Sequence, residues 1–301
     1  MRKPSITIGV PAYNEEANIK RLLLVLLGQK QNNFNLKEII VISDGSNDKT
    51  IEEVKSIRNK KIKLIKNLER FGQIYCQNLI FHQTESDIVI LLEGDTLPAN
   101  NRYLETLLEP MIKDSQVDYV QGNSSPSLSK NLLSKILGTQ QYIYHQISLK
   151  YRGNTDWSCT GRGGRAFSKK VYKNLIWPLN VPEDVFAYLW CQEMNIKTYF
   201  TKDALCFYQP PESLEDLLKQ RQKIKSSIHS LRQYFPKESI DQFYNRPVLL
   251  KLLMTFQFLI YFPLYFILYF LIALWLKTKL NNAKFTDHWA IAYSTKRKLN
   301  L

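Results

Sequence analysis

The chain has 301 residues, 45% of them hydrophobic, which is enough for the core of one ordinary domain plus an appendage or of two small domains. Its formal net charge of +14 predicts an anionic partner: nucleic acid, an anionic membrane surface or a phosphorylated substrate. The four cysteines form no CxxC pair and the four histidines lack zinc-site spacing. The sequence therefore predicts reduced thiols in a cytosolic compartment and argues against a structural zinc.

The first half of the chain alternates predicted strands with predicted helices. Apolar, β-branched runs predict strands over residues 5–10, 38–42, 62–65, 87–92 and 118–121, and helical spacing predicts helices over 14–31, 47–59, 72–83 and 101–114. Asn14 is the expected N-cap of the first helix, with Glu15 and Glu16 in its first turn. Because the connections are short, this alternation predicts an α/β fold with a mostly parallel, doubly wound sheet.

The second half of the chain is less regular. Helices are predicted over residues 128–149, 183–194 and 214–234, short strands over 196–200 and 204–208, and an irregular glycine-rich segment over 153–165. The helix over 214–234 is amphipathic and basic. Such a helix suits either a phosphate ligand or the surface of an anionic membrane.

Residues 252–276 carry no charge and are long enough to cross a hydrocarbon core of about 30 Å as a helix. We expect this segment to associate with a membrane, and a buried core helix is the alternative. Pro263 lies in its middle, and basic residues such as Lys251 and Lys277 flank both ends. Since positive residues prefer the cytoplasmic side, the sequence favours a re-entrant hairpin kinked at Pro263, or helices lying in the interface, over a single span.

An acid pair, Glu93 and Asp95, directly follows the fourth predicted strand. Alternate residues of an extended chain point the same way, and ligands of open α/β sheets bind at the carboxyl ends of the strands. Two hard oxygen ligands at this position suit Mg²⁺ or Mn²⁺ carried by a phosphate substrate. On its own the pattern also fits a solvated loop.

Polar loops follow two more predicted strands: Pro11-Ala-Tyr-Asn-Glu15 after the first, and Asp44-Gly-Ser-Asn-Asp48 after the second. A carboxylate there can accept a hydrogen bond from a base or a ribose, and Tyr13 can lie against a base. Three more motifs complete the pattern: Glu93-Gly-Asp95, Gly161-Arg-Gly-Gly164 and Glu183-Asp184. Over about residues 5–235 the sequence thereby resembles a family 2 inverting glycosyltransferase with the nucleotide-diphospho-sugar-binding, Rossmann-like GT-A fold.

The resemblance implies donor-binding roles for these motifs. The nucleoside, expected to be uridine, would be held by Pro11, Tyr13, Glu15 and Asp44. Asp95 would bind the Mg²⁺ or Mn²⁺ on the diphosphate, with Glu93 near the donor sugar or the ribose. Arg70 would reach a phosphate, because Gln73 stands where the family often has a basic residue. An exposed loop charge is the other interpretation of Arg70.

The resemblance also implies that Asp184 is the general base on the acceptor hydroxyl, and that Gly161 belongs to a loop bordering the acceptor and the donor sugar. Inversion at an anomeric carbon needs such a base, while the leaving nucleoside diphosphate needs charge neutralisation. From the local sequence alone, Glu183 and Asp184 would be ordinary acids at a helix start, and the glycines would form a structural turn.

Gln220 and Lys223 stand where processive synthases of this family have Gln-x-x-Arg-Trp. Lys223 replaces the Arg, and Ile224 replaces the Trp that would stack under an acceptor sugar. The resemblance therefore favours the addition of one or a few sugars over polymer synthesis. The tail, with Asp287-His-Trp-Ala290 and Ser294-Thr-Lys296, resembles the cytoplasmic ending of membrane-bound synthases.

The sequence thus predicts a catalytic domain over residues 1–235, on the cytoplasmic side of the cell membrane, and a membrane-associated region over 236–301. The enzyme would transfer a sugar from a nucleotide diphosphate donor, expected to be a UDP-sugar, to a lipid-linked or cell-envelope glycan acceptor. Transfer to polyprenyl phosphate and a non-catalytic membrane scaffold are the alternatives. A nucleic-acid partner is not expected, because the sequence contains no RNA- or DNA-binding motif.

Overall fold

The computed structural model describes residues 2–152, 161–245, 247–281 and 292–299. The N-terminal half forms β1 (Ser5–Ala12), α1 (Ile19–Leu27), β2 (Asn35–Asp44), α2 (Thr50–Ser56), β3 (Ile62–Asn67), α3 (Gln73–Gln83) and β4 (Ile88–Leu91). These four strands pair in parallel in the order β3-β2-β1-β4. The predicted alternation of strands and helices is confirmed here, and it brings the carboxyl ends of the strands to one edge of the sheet.

The first helix begins five residues later than predicted, and Asn14 is not its N-cap. Asn14 instead adopts a φ of +52°, a left-handed conformation that asparagine tolerates better than most residues. The carbonyl of Glu15 accepts hydrogen bonds from the backbone amides of Asn18 (3.0 Å) and Ile19 (2.9 Å). Residues 14–18 therefore form a turn before α1, so Glu15 and Glu16 lie outside the first helical turn.

Four more strands extend the sheet: β5 (Thr96–Pro98), β6 (Val117–Pro126), β7 (Arg165–Ser168) and β8 (Lys197–Tyr208). The complete order is β3-β2-β1-β4-β7-β6-β8-β5, with β7 antiparallel to both neighbours and β5 antiparallel to β8. The two strands predicted over 196–200 and 204–208 are one strand. The register on β6 jumps where Gly122 faces Thr201 and Asn123 faces Leu205, so the polar residues between the two apolar runs form a bulge.

The remaining helices of this domain are α4 (Tyr103–Lys113), α5 (Leu132–Arg152), α6 (Lys169–Tyr172), α7 (Glu183–Glu193), α8 (Leu214–Leu231) and α9 (Lys237–Tyr244). Hydrophobic cores fill both faces of the sheet. Within β2, Ile40 and Ile42 belong to one core while Ile39 and Val41 belong to the other, as the two-residue period of a strand requires. Of the irregular segment predicted over residues 153–165, residues 153–160 lie outside the described residues.

The apolar segment forms two helices, α10 (Val248–Tyr261) and α11 (Pro263–Asn281), separated at Phe262. Pro263 has no amide hydrogen to continue the first helix, which explains the break. One face of α10, with Leu250, Met254 and Phe258, packs on α5. Within the described ranges, α11 alone is long and apolar enough to span a membrane, with a mean hydropathy of 1.4 over Pro263–Leu280 and no buried residue in that window.

The end of the chain returns to the sheet domain, where residues 293–296 form one turn of 3₁₀ helix (Tyr293–Lys296). The side-chain amide of Asn18 donates to the carbonyls of Lys296 and Arg297, each at 3.1 Å. Leu299 is 2% exposed and joins the core next to α1. The motif residues 287–290 lie outside the described residues. The domain boundary at residue 235 stays a prediction. Both α9 and this tail follow that boundary in sequence but pack against the cores of the sheet domain.

Candidate active site

A cleft of about 650 Å³ opens where β1, β2 and β4 end. Its lining includes all eleven residues singled out from the sequence: Pro11, Tyr13, Glu15, Asp44, Arg70, Glu93, Asp95, Gly161, Asp184, Gln220 and Lys223. These residues come from seven separate segments of the chain, and only the fold brings them together. Their individual roles stay predictions.

The carboxylate of Asp44 is buried and organises the loop after β3. It accepts hydrogen bonds from the backbone amides of Phe71 (3.0 Å) and Gly72 (2.7 Å) and from the side chain of Asn67 (2.8 Å). The same loop carries Arg70, whose guanidinium carbon lies 4.6 Å from the ring centroid of Tyr13. Arg70 is an exposed loop residue that makes a cation–π contact with the ring that we expect to lie against a base.

Arg162 lies between the two acids that follow β4. Its Nη1 is 2.9 Å from Oδ2 of Asp95, and its Nε is 3.6 Å from Oε2 of Glu93. Burial raises the pKa of Glu93. Burial lowers the pKa of Arg162, but its neighbours, led by Asp95 and Glu93, raise it by more, so the guanidinium stays charged. We did not predict Arg162 as a site residue, although it lies inside the motif Gly161-Arg-Gly-Gly164. A charged residue between glycines of a predicted ligand-binding loop was the feature that could have indicated it.

The donor set of this corner suits a divalent metal that arrives with a phosphate ligand. Asp95 and Glu93 present carboxylate oxygens to the cleft, and Mg²⁺ is commonly held by one or two carboxylates plus substrate phosphates. No group of three or more acidic, histidine or cysteine ligands occurs among the described residues. The site therefore fits a metal that completes its coordination with the substrate rather than a preformed metal cage.

The glycine loop that carries Arg162 is pressed against β6. The phenolic hydroxyl of Tyr103 donates to the carbonyl of Gly163 at 2.6 Å, and the backbone amide of Gly161 donates to Oδ2 of Asp184 at 2.9 Å. A Cβ built on Gly163 would lie 2.0 Å from the carbonyl oxygen of Gly122. The absence of a side chain at Gly163 is therefore what lets the loop reach both the acid pair and Asp184.

Replacing Gly163 with alanine should lower the free energy of unfolding by about 1–3 kcal/mol, because the new methyl group overlaps backbone that cannot retreat without moving β6. Denaturant titration of the purified protein measures this loss. Gly28→Ala is the matched control, since its Cβ would meet no heavy atom closer than 3.4 Å. Equal stability of the two variants would contradict the close approach.

Asp184 and Glu183 begin α7 and have different partners. Oδ2 of Asp184 faces the Gly161 amide, while the Glu183 carboxylate accepts from the side chain of Gln73 (2.9 Å) and lies 4.0 Å from Arg165. Burial, followed by repulsion from Glu183, raises the pKa of Asp184, and Arg165 lowers it. A carboxylate with a raised pKa is a better proton acceptor, which suits the predicted role of Asp184.

Glu15 is paired with Lys296 of the tail, a contact that the sequence did not predict. The side chain of Lys296 donates to Oε1 of Glu15, while Oε2 is buried and has no partner among the described residues. Burial raises the pKa of Glu15 to about 8, against the opposing effect of Lys296. The tail thus supplies one wall of the cleft through Ala292, Thr295 and Lys296.

The free energy of unfolding should fall as the pH rises from 5 to 8, by at least about 1 kcal/mol from Glu15 alone. The carboxyl has a higher pKa in the folded protein than in the unfolded chain, so its stabilising contribution is complete below pH 4.5 and is lost as the pH passes about 8. Denaturant titrations across this range measure the slope. Glu15→Gln should flatten this dependence of stability on pH. Equal slopes for the native protein and the variant would contradict the raised pKa of Glu15.

The cleft is closed on another side by α8, which contributes Gln220, Lys223 and Ile224. Ser213 caps this helix by accepting from the amide of Asp216 at 3.1 Å. Asp216 in turn accepts from the amide of Ser294 at 2.8 Å. The start of α8 therefore holds the tail that carries Lys296 against the cleft.

Comparison with known proteins agrees with this geometry. The family described as Glycosyl transferase family 2 matches residues 7–176, more than half of the chain. An uncharacterized glycosyltransferase of Haemophilus influenzae is 26% identical over 243 residues, covering 80% of this chain and 91% of its own. The poly-β-1,6-N-acetyl-D-glucosamine synthase of Staphylococcus aureus is also 26% identical, over 76% of this chain, but the match spans only 56% of that synthase.

Among solved structures, the fold resembles a mannosyltransferase from Pyrobaculum calidifontis in complex with GDP-Man and Mn²⁺. The TM-score is 0.61 at 15% sequence identity, over 84% of this chain and 70% of the other. This likeness confirms the predicted Rossmann-like GT-A fold. With a family match that covers the strand ends and both of the motifs at Asp44 and Asp95, the chain belongs to glycosyltransferase family 2 and is a glycosyltransferase.

Proposed function

We propose that the protein transfers a sugar, with inversion, from a UDP-sugar to a lipid-linked or cell-envelope glycan acceptor at the cytoplasmic face of the cell membrane. The observation that carries this proposal is that the predicted nucleoside residues, the acid pair and Asp184 line one cleft. Tyr13 and Glu15 would hold the base, and Asp95, with Glu93 beside it, would hold Mg²⁺ or Mn²⁺. When bound, that metal would neutralise charge on the leaving diphosphate.

Asp184 would take the proton of the acceptor hydroxyl as it attacks the anomeric carbon. Its position next to Gly161 supports this role, because the loop at Gly161 also carries Arg162 to the acid pair. One short loop would thus hold both the general base and the phosphate end of the site. Arg70 and Lys223, which both line the cleft, would add positive charge around the diphosphate.

A lipid-borne acceptor is supported by the surface next to α8. Large apolar side chains of α10 and α11, such as Leu252, Phe256, Ile260 and Phe270, are more than half exposed. The Lys225 ammonium of α8 donates to the carbonyl of Leu280 at the end of α11. The helix that lines the cleft therefore contacts the helix that we expect to enter the membrane, which favours an acceptor delivered from the lipid.

The docked tail supports a re-entrant or interfacial arrangement of α10 and α11. Both α9 and residues 292–299 pack on the catalytic domain, which supports an apolar segment that starts and ends on the same side of the membrane. Ten residues, 282–291, separate α11 from the tail. A second crossing as a helix needs about 20 residues. If α11 crossed the membrane, the ten residues after it would therefore be too few to bring the chain back as a helix.

Lys298→Cys should resist an impermeant thiol reagent added outside intact cells and should react after the cells are opened. Lys298 is exposed, and Cys76, Cys191 and Cys206 are buried and should stay silent, while Cys159, which lies outside the described residues, is replaced by serine in both variants. A second variant, Lys37→Cys on the catalytic domain, is the control for the cytoplasmic side. Labelling from outside at position 298 but not at position 37 would contradict the re-entrant or interfacial arrangement.

The transfer reaction itself is tested by offering the purified protein a panel of isotope-tagged nucleotide sugars with Mn²⁺. We expect slow hydrolysis of one UDP-sugar, abolished by EDTA, and metal-dependent binding of UDP in calorimetry. Polyprenyl phosphate is the second acceptor to test, because the cations in the lining of the cleft, Lys223 among them, would also suit a phosphate acceptor. A protein that neither binds UDP with Mn²⁺ nor hydrolyses any donor would be a scaffold, and the proposal would be wrong.

A further inference from the structure

Arg162 occupies the place where the proposed function puts a cation. Its guanidinium contacts Asp95 at 2.9 Å and Glu93 at 3.6 Å, and its carbon lies 5.4 Å from the ring centroid of Tyr208. The three charged side chains are largely buried, with 26%, 24% and 10% of Arg162, Glu93 and Asp95 exposed. Two carboxylates this close together and this poorly solvated need a compensating positive charge.

The backbone around Arg162 leaves little freedom to place that charge elsewhere. Gly161 is held by Asp184 and Gly163 by Tyr103, so the loop is fixed on both sides of the arginine. Gly163 also touches the backbone of Gly122, which blocks retreat of the loop towards β6. The long side chain of Arg162, rather than its backbone, is the part that can move.

We propose that Arg162 is a resident cation that competes with the divalent metal for Asp95 and Glu93, and that it moves to the donor diphosphate when the metal takes its place. This inference rests on the proposed function. Without a nucleotide, a metal ion would have to separate a guanidinium from two carboxylates and leave it buried without an anionic partner. With a nucleoside diphosphate present, the phosphate oxygens offer Arg162 a bidentate anionic partner in place of the two carboxylates.

Two consequences distinguish this role from a merely structural ion pair. Free metal should bind weakly to the native protein, and UDP should strengthen metal binding because it takes over Arg162. By reciprocity, metal should strengthen UDP binding by the same factor. Removing the guanidinium should tighten the binding of free metal and weaken the coupling between metal and UDP. Loss of a purely structural contact would instead weaken both.

The test measures Mn²⁺ binding by the electron paramagnetic resonance signal of the free ion, with and without UDP. For Arg162→Gln we expect at least tenfold tighter binding of Mn²⁺ alone and at least a tenfold smaller gain on adding UDP. Arg162→Lys keeps the charge without the planar fork and should lie between the two. Arg102→Gln, which removes a surface arginine paired with Glu105 at 3.5 Å, should match the native protein.

Three results are distinguishable. Tighter binding of free Mn²⁺ to Arg162→Gln, with weaker coupling to UDP, supports the role of Arg162. UDP-dependent Mn²⁺ binding in the native protein, with no tighter binding of free Mn²⁺ to either folded Arg162 variant, overturns this inference and leaves the proposed function standing. If neither the native protein nor a variant binds Mn²⁺ with UDP, the proposed metal-dependent function fails and the inference fails with it.

Discussion

Asp184→Asn should lower the rate of sugar transfer at least about a hundredfold, the typical contribution of a positioned general base. Asparagine has the shape of aspartate, and its carbonyl oxygen can still accept the hydrogen bond that Gly161 donates at 2.9 Å. Its amide cannot take a proton from the acceptor hydroxyl. The variant should therefore fold and bind the donor like the native protein, while only the chemical step slows.

Steady-state transfer, once the donor sugar is identified, separates these two effects. We expect kcat to fall and calorimetric UDP affinity in the presence of Mn²⁺ to change less than about twofold. Because burial raises the pKa of Asp184, the acid limb of the native pH–rate profile should lie above the ordinary aspartate value. Glu238→Gln, which removes an exposed acid on α9, is the control. An unchanged rate in Asp184→Asn would exclude this residue as the base.

Glu183→Gln should behave differently from its neighbour. The Glu183 carboxylate accepts a hydrogen bond from Gln73 and lies 4.0 Å from Arg165, and neither contact involves the glycine loop at Gly161. The arrangement instead suits a structural acid that keeps Arg165 charged and α7 in place. Comparing the two variants distinguishes the acid that positions the helix from the acid that faces the glycine loop.

The parallel half of the sheet could be predicted because β1, β2 and β4 contain buried apolar runs and β3 a short, half-buried one, each with a turn signal at its end. The two halves of β8 could not be joined from sequence, because the polar residues in their bulge imitate a loop. The strands β5 and β7 contain three and four residues, too few for a period to be visible. The start of α1 was missed because a left-handed Asn14 has the same local sequence as an N-cap.

The cleft shows the same division between local and distant information. Residues at the strand ends could be predicted because a parallel sheet brings those ends to one edge. Arg162 meets Asp95 across 67 positions of sequence, and Lys296 meets Glu15 across 281. Neither pairing has a period or a spacing that sequence could reveal, because each depends on how a loop or a tail folds back. Both supply a cation to a carboxylate that the motifs alone leave uncompensated.

Asp95→Asn should weaken Mn²⁺-dependent UDP binding at least about a hundredfold, which corresponds to about 2.7 kcal/mol. Asp95 is the less exposed of the two acids, at 10% of its side chain, and it makes the shorter contact with Arg162. A neutral amide is a poor ligand for a hard divalent cation, so the metal would lose its principal protein oxygen. UDP binding measured without metal should change far less.

Glu93→Gln tests whether the two acids are equivalent. We expect a smaller loss than in Asp95→Asn, because Glu93 lies farther from the cation position that Arg162 marks, at 3.6 Å compared with 2.9 Å. Asp114→Asn, which removes a surface acid paired with Lys197, should leave UDP binding unchanged. A larger loss in Glu93→Gln would make Glu93 the metal ligand. Native affinity in both variants would mean that the diphosphate is held by the basic side chains of the cleft, with Arg70, Arg162 and Lys223 as the charges to remove next.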